Sequence, residues 1–198
     1  MANFDKLAEL GKPIFLQHDQ EALLRKYRLE ADSRAIYVRY CGARYAIDRM
    51  TADVTDPEGK MAGPAVTLAI FDMLCHSERA FSPAGEWRTT NMLPGGGQTS
   101  PDDSVLNKRL IGRFESREAA LNEACRKLGG KPFPVGDVAF ELPLFDWFPV
   151  VFQLWLGDEE FPSAVRFLWD RDTLQFLHYE TLYYIMGHVL TVLDRMIE

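Results

Sequence analysis

The last third of the chain constrains its fold most. Val138, Phe140 and Leu142 alternate with Asp137, Ala139 and Glu141, the two-residue period of a strand with one buried face. Pro149–Leu156 is a longer, more fully apolar strand, and Val165, Phe167 and Trp169 alternate again. Three strands in succession predict an antiparallel meander, because parallel neighbours would need a long crossover between each pair. Tyr179–Ile197 then reads as a helix. Leu182, Ile185, Met186, Val189, Leu193 and Met196 form its apolar stripe, opposite Tyr184, His188, Thr191 and Arg195.

Upstream the pattern is mixed. Asn3–Leu10 is weakly helical and is expected to stop at Gly11-Lys12-Pro13. Asp19 is placed to cap a second helix running to about Arg28. Arg34–Cys41 and Arg44–Arg49 read as two strands joined at Gly42-Ala43. Gly63-Pro64 opens a helix whose Val66, Leu68, Ala69, Ile70, Phe71, Met73 and Leu74 are apolar nearly all round, which suits the centre of a core. Glu86–Leu93 reads as an irregular strand closed by Pro94-Gly95-Gly96-Gly97. Ser100-Pro101-Asp102-Asp103 is a helix start carrying Leu106, Leu110 and Phe114, and Ser116 begins another helix that Gly129-Gly130 ends. Strands come in runs rather than alternating with helices. The reading is therefore a single α+β domain over residues 1–198, with an antiparallel sheet including the C-terminal three-strand meander, packed by about five or six helices.

Composition narrows the partners. Lys plus Arg is 22 against 29 Asp plus Glu, a net charge of −7, which opposes a nucleic-acid or anionic-membrane surface. The odd cysteine count, Cys41, Cys75 and Cys125, without Cys-x-x-Cys, suits a reducing compartment and supplies neither a zinc ribbon nor a redox pair. The first residues lack a basic start and an apolar run, and stretches such as Phe148–Phe152 are too short to cross a bilayer. The expectation is a cytoplasmic chain with no cofactor, no metal, no nucleic-acid partner and no membrane partner.

Three motifs carry candidate chemistry. Gly95-Gly96-Gly97 ahead of a helix start could cradle an anion, but Gln98-Thr99 stands where a P-loop has Lys and Ser/Thr, and Asp102 and Asp103 already complement the helix dipole. Asp158, Glu159 and Glu160 form the densest acidic cluster. They could contribute to a hard-cation site with Asp170 or Asp172, form a solvated hairpin tip, or fold one carboxylate onto loop N–H groups with Phe161 as a buried anchor. Asp72 and His76 are four apart and share a helix face beside Cys75, so the carboxylate could orient the imidazole as a base or metal ligand. No second ligand stands at a diagnostic spacing. His188 could meet His178 or Tyr184, and His18 is isolated. The aromatics Trp147, Phe148, Phe152, Trp155, Phe161, Phe167 and Trp169 suit a strand core, or an apolar dimer face if several are exposed.

Taken in order, Leu93-Pro94-Gly95-Gly96, the Pro149-to-Trp155 strand, Gly157-Asp158-Glu159-Glu160-Phe161-Pro162 and Leu168-Trp169-Asp170 resemble the bacterial and archaeal family called domain of unknown function 3786, from about residue 20 to about residue 195. The resemblance implies no established activity. It places relatives in anaerobes that use corrinoid one-carbon chemistry, some with an appended iron–sulfur motif that three scattered cysteines do not reproduce.

The leading functional expectation is a non-catalytic binding or accessory module for a protein or small molecule, which the resemblance would place in metal- or corrinoid-dependent metabolism. Its ligand-binding candidates are Pro94, Gly95, Gly96 and Gly97 with Asp158, Glu159 and Glu160. The alternatives are a small-molecule enzyme with Asp158, Glu159, Glu160, His76 or His188 as acid–base groups, and a homodimeric interaction module built on the aromatic strands.

Overall fold

The computed structural model describes residues 2–96 and 108–198. In chain order its elements are α1 (Ala2–Gln17), α2 (Gln20–Tyr27), β1 (Glu30–Ala31), β2 (Ala35–Tyr40), β3 (Ala43–Asp48), β4 (Val54–Thr55), α3 (Pro64–Cys75), β5 (Trp87–Thr89), α4 (Lys108–Glu115), α5 (Glu118–Lys127), β6 (Lys131–Pro132), β7 (Val138–Phe145), β8 (Phe148–Trp155), β9 (Ala164–Asp170) and α6 (Tyr179–Met196). The fold is α+β. Its antiparallel sheet runs β4-β3-β2-β7-β8-β9-β5, with β1 added beside β2 and β6 beside β7.

The meander β7–β8–β9 is the centre of the core. Its register sets Phe140 opposite Phe152 and Phe152 opposite Phe167, so three rings cross one face in a row. Phe114 of α4 meets Phe152 edge-on at 6.2 Å, which identifies that face as the one the helices cover. The other face is covered too: residues 133–137 fold over it, and the Gln153 side-chain amide donates to the Val135 carbonyl at 2.6 Å. Ala139 and Val151 are buried there, so β7 hides more than the single face its alternation predicts, while β8 is buried on both faces as its apolar run leads one to expect. The aromatic residues go the same way. Phe148, Phe152, Phe167 and Trp169 are fully buried, and the Trp169 indole N–H donates to Thr90 Oγ1 at 3.2 Å. Phe161 is the exception at 67% exposed, so it does not anchor the acidic loop.

The N-terminal strands join the meander through a narrow seam. Tyr40 pairs with Phe145, and the Cys41 N–H donates to the Leu144 carbonyl at 2.7 Å. The β2–β3 turn is made by Cys41 and Gly42, both at positive φ (47° and 79°), one residue before the expected Gly42-Ala43. Tyr40 stacks on Phe145 at 4.8 Å and on His188 of α6 at 5.0 Å. His188 therefore belongs to the packed seam rather than to a wet helix face. Burial first, and Arg195 second, push its pKa down to about 4.

α1 departs most from the sequence expectation. It continues through Gly11 and Pro13 to Gln17. Pro13 removes one helical hydrogen bond and crowds the preceding turn, a cost of about 3 kcal/mol. The continuation fully buries Phe15, worth about 2–3 kcal/mol, and stacks it on Phe71 at 5.3 Å. Lys12 pairs with Asp53 at 2.8 Å. Gly11 is a close approach rather than a stop: a Cβ there would sit 2.8 Å from the Phe71 ring. α3 lies between α1 and α6 and buries Val66, Thr67, Ala69, Ile70, Phe71, Met73 and Leu74, as its apolar sequence requires. Asp19 caps α2 by accepting the Ala22 N–H, and Arg28 ends it in a left-handed conformation. The expected helix start at Ser100–Asp103 lies outside the described residues. Among those described, no helix is long and apolar enough to cross a membrane.

Candidate functional site

The site forms where the end of α3 meets the start of α6. Asp72, Cys75 and His76 share one face of α3, at i, i+3 and i+4, and it is the face the apolar residues leave over. At α6, Phe176 and Leu177 are buried in the core, which fixes His178 as the residue entering the helix. Asp72 binds His178 twice. Its Oδ2 accepts the His178 backbone N–H at 2.8 Å, and its Oδ1 lies 2.6 Å from His178 Nδ1. The same carboxylate thus satisfies an orphan N–H at the helix start and sets the plane of the imidazole.

His76 completes the group. Its Nδ1 lies 3.9 Å from Asp72 Oδ1, and its ring meets that of His178 edge-on with centroids 4.1 Å apart. Burial, and then the neighbouring His178, push the His76 pKa below the ordinary value, with Asp72 opposing them. One ligand atom from each of Asp72, His76 and His178 lies within 4.8 Å of those of the other two. The Asp72 side chain is only 10% exposed, whereas that of His178 is 62% exposed. The acid is held inside, the His178 imidazole faces outward, and the His76 side chain, 25% exposed, lies between them.

These groups form the polar wall of a cleft of about 580 Å³ between α1, α3 and α6. Gly11 and Ile14 line it from α1, Leu68, Phe71 and Cys75 from α3, and Glu180, Thr181 and Tyr184 from α6. Burial drives the Cys75 thiol up to about 12, so at neutral pH it is an uncharged thiol rather than a thiolate. Chemically, the arrangement offers a carboxylate-oriented imidazole for proton transfer. It also offers one oxygen and two nitrogen donors to a divalent ion.

The other sequence candidates lie elsewhere. Pro94, Gly95 and Gly96 make a tight turn in which the Gly96 N–H donates to the Leu93 carbonyl at 2.9 Å. A Cβ at Gly96 would stand 3.3 Å from the Tyr179 ring, one residue beyond His178, and Gly97 is outside the described residues. Asp158, Glu159 and Glu160 stand exposed at the β8–β9 tip. Asp158 Oδ1 accepts the N–H groups of Phe161 at 2.7 Å and Glu160 at 2.9 Å, and these bonds lower its pKa. A cleft of about 610 Å³ beside the tip is lined by Ile111 and Gly112 of α4 with Phe161 and Pro162. The described part of the glycine turn lies beside the start of α6, and the tip lies beside α4. Asp170 lies at the far end of β9, about 20 Å along the strand. Its carboxylate there accepts the Gly85 and Asp172 N–H groups. The cation site joining the tip to Asp170 or Asp172 is not formed. His188 lies ten residues beyond His178, about 15 Å along α6.

The residue that sequence reasoning did not join to this site is His178. It is 106 positions from Asp72, and no local spacing marks the pair. No curated protein and no solved structure matches the chain. A family model described as domain of unknown function (DUF3786) matches residues 19–191, a span that holds Asp72, His76 and His178 and begins after α1; the chain belongs to that family.

Proposed function

We infer that the protein is a binding module that takes a small, partly apolar molecule in the α1–α3–α6 cleft. One observation carries the reading: a concave site of about 580 Å³ whose walls are mainly apolar and whose polar groups converge at one place. Clefts of this size and make-up hold small organic ligands, with a few fixed polar groups setting orientation. Leu68, Phe71 and Ile14 would cover the ligand's apolar body, and Asp72, His76 and His178 would meet its polar end. Service to a metal-dependent pathway, where the resemblance places relatives, suits a module that presents two imidazoles and a carboxylate.

The test is native mass spectrometry of anaerobically purified protein, together with fluorescence of anilinonaphthalene sulfonate, an apolar probe with an anionic end. The expected result is saturable dye binding that Leu68→Trp, which fills the cleft, abolishes. A retained small molecule, seen as excess native mass that denaturation removes, would identify the ligand. Dye binding unaffected by Leu68→Trp, with no retained mass, would overturn the reading.

The enzyme reading keeps one specific support, the 2.6 Å approach of Asp72 to His178 Nδ1. A carboxylate in that position holds one tautomer of the imidazole and leaves Nε2 as its acceptor. Its candidates are then His178 and His76, not the acids of the β8–β9 tip.

A further inference from the structure

The geometry points to a site for a divalent first-row transition ion, held by Asp72 Oδ1 and the imidazoles of His76 and His178 at the polar end of the cleft. Three features lead there. First, the donors converge. Bonds of about 2.0–2.2 Å to an ion place neighbouring ligand atoms about 3.0–3.5 Å apart. The separations from Asp72 Oδ1 are 2.6 Å to His178 Nδ1 and 3.9 Å to His76 Nδ1, on either side of that range. All three ligand atoms lie within 4.8 Å of one another, and ring rotations that move them by about half an ångström to one ångström bring them to ligand distance.

Second, the carboxylate is already supported as a metal ligand should be. Asp72 Oδ2 is taken by the His178 backbone N–H at 2.8 Å, which leaves Oδ1 for the ion and fixes its direction. Third, all three donors come from one wall, so the remaining coordination positions face the cleft. The donor set, two imidazoles and one carboxylate, selects iron, zinc, cobalt, nickel or manganese over calcium, which takes oxygen alone. On binding, the proton between Oδ1 and Nδ1 of His178 leaves or moves to Nε2, freeing the Nδ1 lone pair.

The ion site stands on these residues alone. The further step, that the ion holds the polar end of the cleft's organic ligand, rests on the binding reading above. The sequence offers half of the ion site, Asp72 and His76 four apart on one helix face, but not His178, and its expectation of no metal is set aside by this proposal.

The experiment titrates the full chain, stripped with a chelator, with Co²⁺, reading visible absorption for nitrogen and oxygen ligation and calorimetry for stoichiometry. One equivalent per chain is expected. His76→Gln changes a side chain that takes no part in the two Asp72–His178 bonds, so it tests ligation while keeping that pair. It and His178→Gln should each weaken binding by about tenfold or more, while His18→Gln and Asp158→Asn leave it unchanged. Absence of a stoichiometric complex, or equal affinity in His76→Gln and the unaltered chain, overturns the proposal. Leu68→Trp separates the two readings. Co²⁺ binding that survives it while dye binding is lost supports both, and dye binding without Co²⁺ binding sinks the ion site alone.

Discussion

The β8–β9 tip and the α3–α6 cleft both hold carboxylates, and they use them in opposite ways. At the tip, three acids follow one another in sequence, and Asp158 turns back to bind the N–H groups of its own loop. In the cleft, a single acid is drawn inside and binds a histidine 106 residues away. Charge is dense at the tip because water solvates it there at little cost. In the cleft Glu180 stays exposed and Asp72 alone is taken inside, where burial makes each of its hydrogen bonds matter more. Acidic density in a sequence therefore marks a solvated loop more readily than a site, and convergence of distant groups marks the site.

The largest effect that sharpens this contrast is the response to acid. His188 has a pKa near 4 in the folded chain, below the ordinary 6.5. As pH falls from about 6.5, the unfolded chain binds a proton that the folded one does not, so stability is full above that point and is lost toward pH 4. The whole loss is about 3 kcal/mol. The tip works in a lower window, because the lowered pKa of Asp158 defers its loss to below the ordinary 3.8. His188→Phe keeps the stack on Tyr40 and should flatten the slope between pH 7 and pH 4.5 in urea titrations. An unchanged slope would move the acid sensitivity to the cleft, where the lowered pKa of His76 acts in the same direction.

Next in size is Gly157→Ala. A Cβ there would stand 2.8 Å from the Ser163 backbone nitrogen, across the neck of the tip, at a cost of about 1–3 kcal/mol by chemical denaturation. Asp72→Asn follows. It keeps the shape but loses the charged acceptor for His178, and about 1–2 kcal/mol should disappear from the urea unfolding free energy at pH 7. Smallest is the double change Glu159→Gln and Glu160→Gln, which should leave the denaturant midpoint where it was. A large shift there would show that the tip acids hold structure, and the contrast with Asp72 would fail.

Much of the scaffold is legible in the chain because its signals are local. The alternation of β7 and β9, the Asp19 cap, the all-round apolar α3 and the stripe of α6 each follow from residues a few positions apart. Where the reading departs, a distant partner is responsible. Gly11 and Pro13 are stop signals on their own, and the helix continues because Phe15 finds Phe71. His188 is polar on its own, and it is packed because Tyr40 lies against it. Ala139 belongs to a wet face until residues 133–137 fold over it.

By itself, the sequence determined an antiparallel α+β scaffold, the face shared by Asp72 and His76, and the acidic tip, since periodicity, capping and turn chemistry act within a few residues. The tertiary structure alone decided that His178 meets that face and that α1 closes a cleft over it. Those outcomes depend on how α1, α3 and α6 pack, and packing couples residues about a hundred positions apart through buried apolar surface that leaves no spacing in the chain.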